Sequence, residues 1–549
     1  MATQFGRKLA CELIFSHFGE SVQKVCESLV YRGQLSLPEI ARYTGMNITQ
    51  LRNCLLVLIQ HNCAQAFKVE HEGVGSAPQR VSTSYIALTD NILHRLRFPK
   101  FLVLVKEDVG DQAEALIEGL LEHGRLTLEQ LIQRAAARGG KAVGEVATAV
   151  KDCFGKLLSN HYVERCPAPE PSLRPKIAVE PLKKTPPANG AIGEEQRVMS
   201  AAAPTDAERF QVPVSLINMG GTDMEMGDTT PIGQKRKREA LQMDTKTAAA
   251  VDEKEVLWRV NYEEFIRRLR HQVCVAFVRS RVDSVAGTVL EGMLDATRRL
   301  ETSAKQHSSV PVSSDTIMNS VRNLPLGQGM TVERLRVGLQ QLASDSAGYV
   351  SRAGERAGLA EGNQYVVNLH KIVELLRQNE VEGIVLQRYG RECCRIFRLL
   401  ALKGQLEQKQ IGERAMVPKD VRELLYQLLK DHYVQVQEIA KTTEHVASKS
   451  IHLWRVNMRA VLHQVLDDMY HAASNLSQRL AHELEKEQEV LGLLRQIDTA
   501  KAVGTDIHVP NVNLTNTQQE HVKRISRITT VLEASLLKLD DAILLFHDF

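Results

Sequence analysis

The chain is poor in aromatic residues, close to charge balance and without any pair of cysteines spaced for a metal. Phe, Trp and Tyr make up 5% of its 549 residues, with two tryptophans. That scarcity suits cores of Leu, Val and Ile packed between helices better than β-sandwich cores. The net charge is only +3, so the molecule as a whole is no electrostatic clamp for nucleic acid, and any DNA contact must come from local patches. The nine cysteines are Cys11, Cys26, Cys54, Cys63, Cys153, Cys166, Cys274, Cys393 and Cys394. None forms Cys-x-x-Cys and no His pair completes one, which argues against a zinc knuckle. Most lie in apolar helical stretches, where a reduced thiol serves as a small hydrophobe. No apolar run reaches membrane-spanning length. The first twenty residues carry Lys8, Glu12 and Glu20 and lack a small-residue cleavage site, so they do not read as a signal peptide. The expectation is a soluble, non-secreted protein.

What is present is a chain too long for one core, with 43% hydrophobic and 25% charged residues, as in ordinary globular domains. From Pro167 the composition changes. Pro167, Pro169, Pro171, Pro175, Pro181, Pro186 and Pro187 precede Gly, Ser, Thr and scattered charges with no period. Such a stretch buries too little apolar surface to offset its chain entropy, and residues 167–252 read as a disordered linker. Order resumes near Val256-Leu257-Trp258.

An internal repeat organises the rest. Gly33-Gln34-Leu35-Ser36-Leu37-Pro38-Glu39-Ile40 returns as Gly124-Arg125-Leu126-Thr127-Leu128-Glu129-Gln130-Leu131, and as Gly404-Gln405-Leu406-Glu407-Gln408-Lys409-Gln410-Ile411. Roughly 30 to 40 residues after each glycine a second element recurs. It reads Gln60-His61-Asn62-Cys63, then Ser159-Asn160-His161-Tyr162, then Lys430-Asp431-His432-Tyr433. The glycine ends a helix, a Leu-x-Leu strand follows, and a short helix starts at the Pro or Glu. The second element closes a longer helix with Leu51, Leu55, Leu58 and Ile59 at helical spacing. Extended runs at Tyr162–Arg165 and Tyr433–Val436, with a partner over Ser450–Val456, complete hairpins. Helix, small strand, two helices and a hairpin make a winged helix. A weaker copy runs through Tyr262–Arg298, Val310–Ser313, Thr331–Ala343, Tyr349-Val350 and Tyr365–Leu369.

The fold class expected is therefore mainly α with small β-wings. Four tandem winged helices occupy residues 1–90, 91–166, 253–370 and 371–457. Beyond them, Leu462, Leu466, Met469, Ala473, Leu476 and Leu480 keep alternating three-four spacing, as do Ile525, Ile528, Leu532, Leu536, Leu539, Ile543 and Phe546. Residues 458–549 thus read as an antiparallel coiled coil broken near Pro510.

The segments Phe15-Ser16-His17-Phe18-Gly19-Glu20, Leu93–Lys100, Arg395-Ile396-Phe397-Arg398-Leu399, Gln405–Gln410, Ala415-Met416-Val417-Pro418 and Tyr365–Lys371 carry a family resemblance. With four winged helices and a C-terminal coiled coil, the chain resembles the large subunit of the RNA polymerase III-specific heterotrimer, a relative of the TFIIE α subunit. The resemblance covers nearly the whole chain outside the linker. It implies a nuclear, non-catalytic subunit that docks on the clamp of the largest polymerase subunit and binds the two other heterotrimer subunits. It further implies DNA near the cleft, a part in promoter opening at genes for transfer RNA and other small RNAs, and a link to sensing of cytosolic DNA. It implies no active site, cofactor, metal or small-molecule substrate, and no membrane.

From the residues alone, two other readings stay open: a winged-helix scaffold of another complex, and an autonomous DNA-binding regulator. Lys235-Arg236-Lys237-Arg238 reads as a nuclear localisation signal or as a solvated charge run. The first recognition helix, in Asn47–His61, offers only Arg52. The fourth sets Lys419, Arg422 and Lys430 against Asp420, Glu423 and Asp431. Phosphate binding needs net positive charge, so both favour protein contact. The third unit is more basic, and Arg279, Arg281, Arg334, Arg336 and Arg352 are its candidate DNA-binding residues. Arg267, Arg270 and His271 share a helix face that is either a phosphate patch, a solvated surface or a contact with an acidic partner. His61, His161 and His432 recur in turns, which points to capping. No phosphate loop, zincin helix or nucleophile elbow is present.

Overall fold

The computed structural model describes residues 3–71, 80–140, 143–173, 194–204, 206–212, 256–301, 303–353, 364–415, 420–440, 450–503 and 515–549. The chain divides into two compact units, residues 1–265 and 266–549.

In the first unit, the first winged helix comprises α1 (Gln4–Phe18), α2 (Glu20–Arg32), β1 (Leu35–Ser36), α3 (Leu37–Thr44), α4 (Ile48–Gln60), β2 (Ala64–His71) and β3 (Arg80–Ala87). After a one-turn α5 (Thr89–Leu93), the second uses α6 (Phe98–Asp108), α7 (Asp111–His123), β4 (Leu126–Thr127), α8 (Leu128–Gly139), α9 (Val143–Ser159) and β5 (Val163–Arg165). The sequence repeat is a repeat of local physics. Gly33, Gly124 and Gly404 all have φ of +82°, which a residue with Cβ adopts only under strain, and each ends a helix. The residue closing the short strand then caps the next helix. Ser36 and Glu39 form a capping box, as do Thr127 and Gln130.

The second repeated element is a Schellman turn. Asn62 (φ +57°), His161 (φ +62°) and His432 (φ +61°) take the left-handed position. The N–H of Cys63 donates to Leu58 O at 2.8 Å, that of Tyr162 to Leu157 O at 3.0 Å and that of Tyr433 to Leu428 O at 2.9 Å. Helix ends are thus satisfied in the same way in three copies. Gly348 (φ +64°) holds the same place in the remaining one, before Tyr349-Val350.

Two expectations need correction. The second winged helix does not end at residue 166. Its last wing strand is β7 (Leu257–Val260), which pairs antiparallel with both β4 and β5, with Leu126 opposite Trp258 and Val163 opposite Val260. Residues 166–256 are therefore an insertion inside the second wing, and the third winged helix starts only with α12 (Tyr262–Arg281). The signal is in the sequence: Trp258-Arg259-Val260-Asn261 repeats as Trp454-Arg455-Val456-Asn457, the last wing strand of the fourth copy. Proximity along the chain masks it.

Nor is the insertion wholly without structure. Its β6 (Ser172–Leu173) adds in parallel to the edge of β2, giving the sheet order β1-β3-β2-β6. Its α10 (Glu194–Ala202) buries Val198 against Phe67 and Ile86 on the first wing. In α11 (Asp206–Arg209), Arg209 pairs with the buried Glu164, and the neighbouring Phe210 stacks on His161 with ring centroids 4.0 Å apart. Composition gives this stretch little apolar surface, yet a few of its apolar side chains dock on a surface already formed.

The second unit holds α12 from Ile266 on, α13 (Ser284–Thr297), β8 (Val312–Ser313), α14 (Ser314–Asn323), α15 (Val332–Ser344), β9 (Val350–Arg352) and β10 (Gln364–Val367). The fourth copy follows: α16 (Leu369–Lys403, kinked at Gly390), β11 (Gln405–Glu407), α17 (Gln408–Ala415), α18 (Val421–Lys430), β12 (Gln435–Ala440) and β13 (Ser450–Arg455). Then come α19 (Met458–Lys486), α20 (Gln488–Val503) and α21 (Asn516–His547). Helices α19 and α21 pack antiparallel: His521 meets Glu487 at 3.0 Å at one end, and Tyr470 faces His547 at the other. Pro510 lies outside the described residues. The last carbonyls of α21 are held by cations, Leu545 O by Arg377 Nε at 2.9 Å and His547 O by Lys305 Nζ at 3.0 Å, which suits the negative end of a helix.

Candidate nucleic-acid interface

A winged helix that reads duplex DNA presents its third helix to the groove, so the exposed residues of α4, α9, α15 and α18 decide what each copy can touch. On α4 the exposed side chains include Ile48 and Leu56, the latter 69% accessible, and Arg52 is its sole charge. On α9, Lys151 and Lys156 are matched by Glu145 and Asp152. On α18, Arg422 and Lys430 flank Glu423 and the exposed Tyr426. An open groove between α18 and the fourth wing is lined by Arg422, Glu423, Tyr426, Val436, His452 and Trp454. None of these three surfaces concentrates positive charge.

The third copy differs. Thr331 caps α15 by accepting from Arg334 N at 3.3 Å, and Leu335, Leu339 and Leu342 turn inward. This phase leaves Arg334 and Arg336 exposed. They do not share a face: two residues apart on a helix, they diverge by roughly 200° and flank the outward stripe of Val337, Gln340 and Gln341. Such a spread suits two phosphate backbones on either side of a groove, with amides between them. Arg352 is exposed on the wing strand β9, and Arg281 is exposed at the end of α12. Arg279 behaves otherwise. It is half-buried and bonds Glu291 at 3.0 Å, so its charge is already answered within the fold. Four of the five arginines singled out from sequence are thus free to meet an anion in geometry. Sequence reasoning misses Gln340 and Gln341; fixing the helix phase on Leu335, Leu339 and Leu342 would have found them.

The face of Arg267, Arg270 and His271 is neither a solvated surface nor a phosphate patch. All three are buried around Glu301, whose side chain is fully buried. Arg270 Nη2 lies 3.2 Å, Arg267 Nε 3.4 Å and His271 Nε2 3.2 Å from its carboxylate. Arg270 also donates to Gln306 O at 3.1 Å. Burial lowers the His271 pKa, against the pull of Glu301. The cluster ties α12 to the segment after α13, and removing the Glu301 carboxylate would take an answering charge from buried cations. Helical spacing shows that these cations share a face; it cannot show that an acid thirty residues on covers it.

The recurring histidines are structural. His161 occupies a left-handed turn, stacks on Phe210 and accepts at its backbone O from Asn261 Nδ2 at 2.9 Å. His61 packs on Phe18 with centroids 4.6 Å apart, and burial, then nearby Arg95, lowers its pKa to about 4. Among the described residues no group of three His, Cys, Asp or Glu is placed to hold a metal ion, and no helix is long and apolar enough to cross a membrane. The cysteines are free thiols, all but Cys166 buried, and burial pushes Cys11 up to about 12 and Cys63 to about 11. Thiols so protonated are poor nucleophiles. Lys235, Arg236, Lys237 and Arg238 lie outside the described residues.

Three family models match the chain. One described as RNA polymerase III subunit RPC82 helix-turn-helix domain matches residues 8–69, one described as RNA polymerase III subunit RPC82 matches residues 152–376, and one described as POLR3C, C-terminal winged-helix domain matches residues 381–456. Among curated proteins the chain is similar to the human DNA-directed RNA polymerase III subunit RPC3, at 28% identity over 100% of this chain and 98% of that protein. The zebrafish (Danio rerio) subunit of the same name is 27% identical, with 98% and 96% covered. That of Dictyostelium discoideum is 24% identical, with 99% and 100% covered.

Proposed function

Because the chain belongs to the RPC82/RPC3 family of RNA polymerase III subunits, we propose that it docks on the clamp of the largest polymerase subunit, joins the two other heterotrimer subunits and supports promoter opening at genes for transfer RNA and other small RNAs. The observation that carries this reading is end-to-end similarity to RPC3 subunits, with almost no length left over on either side. The surfaces agree with it. The apolar α4 and the charge-balanced α9 and α18 suit protein contact, whereas α15 and its wing suit non-specific contact with the DNA backbone. In that division of labour, Arg281, Arg334, Arg336 and Arg352 meet phosphates and Arg279 does not. Phosphodiester synthesis is left to other subunits.

The test is promoter-dependent transcription. Polymerase depleted of this chain is expected to extend a primer on a pre-opened template yet fail to start on a closed transfer-RNA gene, and purified chain should restore initiation. Equal initiation on closed promoters without the chain would overturn the proposal.

Nuclear import is assigned to Lys235-Arg236-Lys237-Arg238, four consecutive cations in the inserted segment. Alanine at all four positions should leave the isolated, tagged chain in the cytoplasm by fluorescence microscopy. Unchanged nuclear accumulation, with partner-bound import excluded, would make the run incidental.

A further inference from the structure

The first and fourth wings are built alike, and among the described residues what covers one is missing from the other. On the first wing, the outer edge of β2 is filled by the chain itself. Lys68 N donates to Pro171 O at 2.9 Å, β6 adds in parallel, and the amide of Gln65 donates to Ala168 O at 2.9 Å and Pro169 O at 3.1 Å. Lys68 also pairs with Glu170 at 3.3 Å, and Leu173 packs toward Phe67 and Ile86.

The Schellman turns put the two wings in register. Asn62 and His432 are the left-handed residues, so Gln65 corresponds to Gln435, Lys68 to Glu438 and Val69 to Ile439. The gripping glutamine is retained. Gln435 uses its oxygen to accept from Arg455 at 3.4 Å, leaving its N–H pair uncommitted among the described residues. The charged position is reversed. The sheet order is β11-β13-β12, so among the described residues β12 carries an open outer edge. At six residues it is the longest strand with such an edge among the described residues, and Val436 and Ile439 stand exposed on it. An open, apolar-bearing edge of this length invites pairing unless something covers it.

We propose that the outer edge of β12 is a strand-addition site for an extended segment of a partner protein, with a Lys or Arg opposite Glu438 and an apolar residue three positions later. The occupant is specified by the first wing. There Glu170 answers Lys68 and Leu173 follows three residues on; a partner answering Glu438 must carry the opposite charge. Main-chain bonds supply the affinity, while the charge and the apolar side chain set the register. Nucleic acid is disfavoured as occupant because Glu438 on the edge and Glu423 beside the groove repel phosphate.

The test uses the full chain and two fluorescein-labelled peptides of residues 166–174, one unaltered and one carrying Glu170→Lys, titrated by fluorescence anisotropy. The Glu170→Lys peptide should bind several-fold more tightly than the unaltered one, a preference of the size an exposed ion pair gives. Glu438→Lys should invert that order. Glu438→Pro removes the N–H matching that of Lys68, which points away from β13, and so spares the ladder inside the wing. It should weaken both peptides at least ten-fold with an unchanged thermal midpoint; if this variant misfolds, the inversion by Glu438→Lys still decides. Failure of the Glu170→Lys peptide to bind, or binding indifferent to both substitutions, overturns the proposal. Self-association of the chain that Glu438→Pro abolishes would also overturn it, since the occupant would then be a second copy.

Discussion

Charge reversal at Arg334 and Arg336 together should flatten the salt dependence of duplex binding by about two slope units and weaken binding at low salt on the order of ten- to a hundred-fold. Were Arg281, Arg334, Arg336 and Arg352 each to meet a phosphate as proposed, about four contacts would give a log–log slope near −3 to −4 in the parent. Losing two leaves a slope near −1 to −2. The thermal midpoint should hold, because both side chains are exposed on α15 and their helix is anchored by Leu335, Leu339 and Leu342. Arg279→Ala supplies the contrast. That guanidinium is bonded to Glu291, so its loss should leave the slope unchanged. Anisotropy titrations of a labelled duplex from about 50 to 200 mM salt read both outcomes. An unaltered slope in the double reversal would make the third winged helix a protein contact.

The second large effect concerns the seam between the first two winged helices. A Cβ on Gly124 would lie 2.0 Å from the backbone oxygen of Gln60 and 2.8 Å from the Cα of His61. The same turn is clasped by Gln60, whose side-chain amide donates to His123 O at 3.0 Å and Arg125 O at 2.6 Å, and by Arg125 Nε, which donates to Asn62 Oδ1 at 3.0 Å. Gly124→Ala therefore combines left-handed strain of about 1–2 kcal/mol with overpacking of about 1–3 kcal/mol against backbone that cannot swing aside. Gly33 and Gly404 share the φ of +82°, but a methyl group on either would have nothing within 4 Å. Gly33→Ala and Gly404→Ala should lose the strain alone. By calorimetry, Gly124→Ala should lower the midpoint of the first unit by roughly 4–20 °C, from about 2–5 kcal/mol at about 2–4 °C per kcal/mol. Equal losses in the three variants would show that the seam contributes nothing.

These three glycines also show what the sequence makes readable. The repeat at Gly33, Gly124 and Gly404 is legible because backbone geometry imposes it: a positive φ, a two-residue strand and a cap at Ser36 or Thr127 each demand particular residues locally. Pairing between distant segments leaves no such local mark. Hence β7 reads from sequence as part of the wrong winged helix, although Trp258 sits where Trp454 does. Likewise Val198 and Leu173 look idle until the Phe67–Ile86 surface they cover is known. Charge is legible within the same limit. Exposure of Arg334, Arg336 and Arg352 follows from helix phase and wing position, whereas the burial of Arg267 and Arg270 depends on Glu301, an acid from another element.

Membership of a working polymerase is tested most directly by purifying the tagged chain from nuclei at moderate salt and quantifying what accompanies it by mass spectrometry. The expected result is near-equal recovery of the two largest RNA polymerase III subunits, the remaining core and two smaller heterotrimer subunits. A stable complex of the chain that contains no polymerase subunit would contradict it.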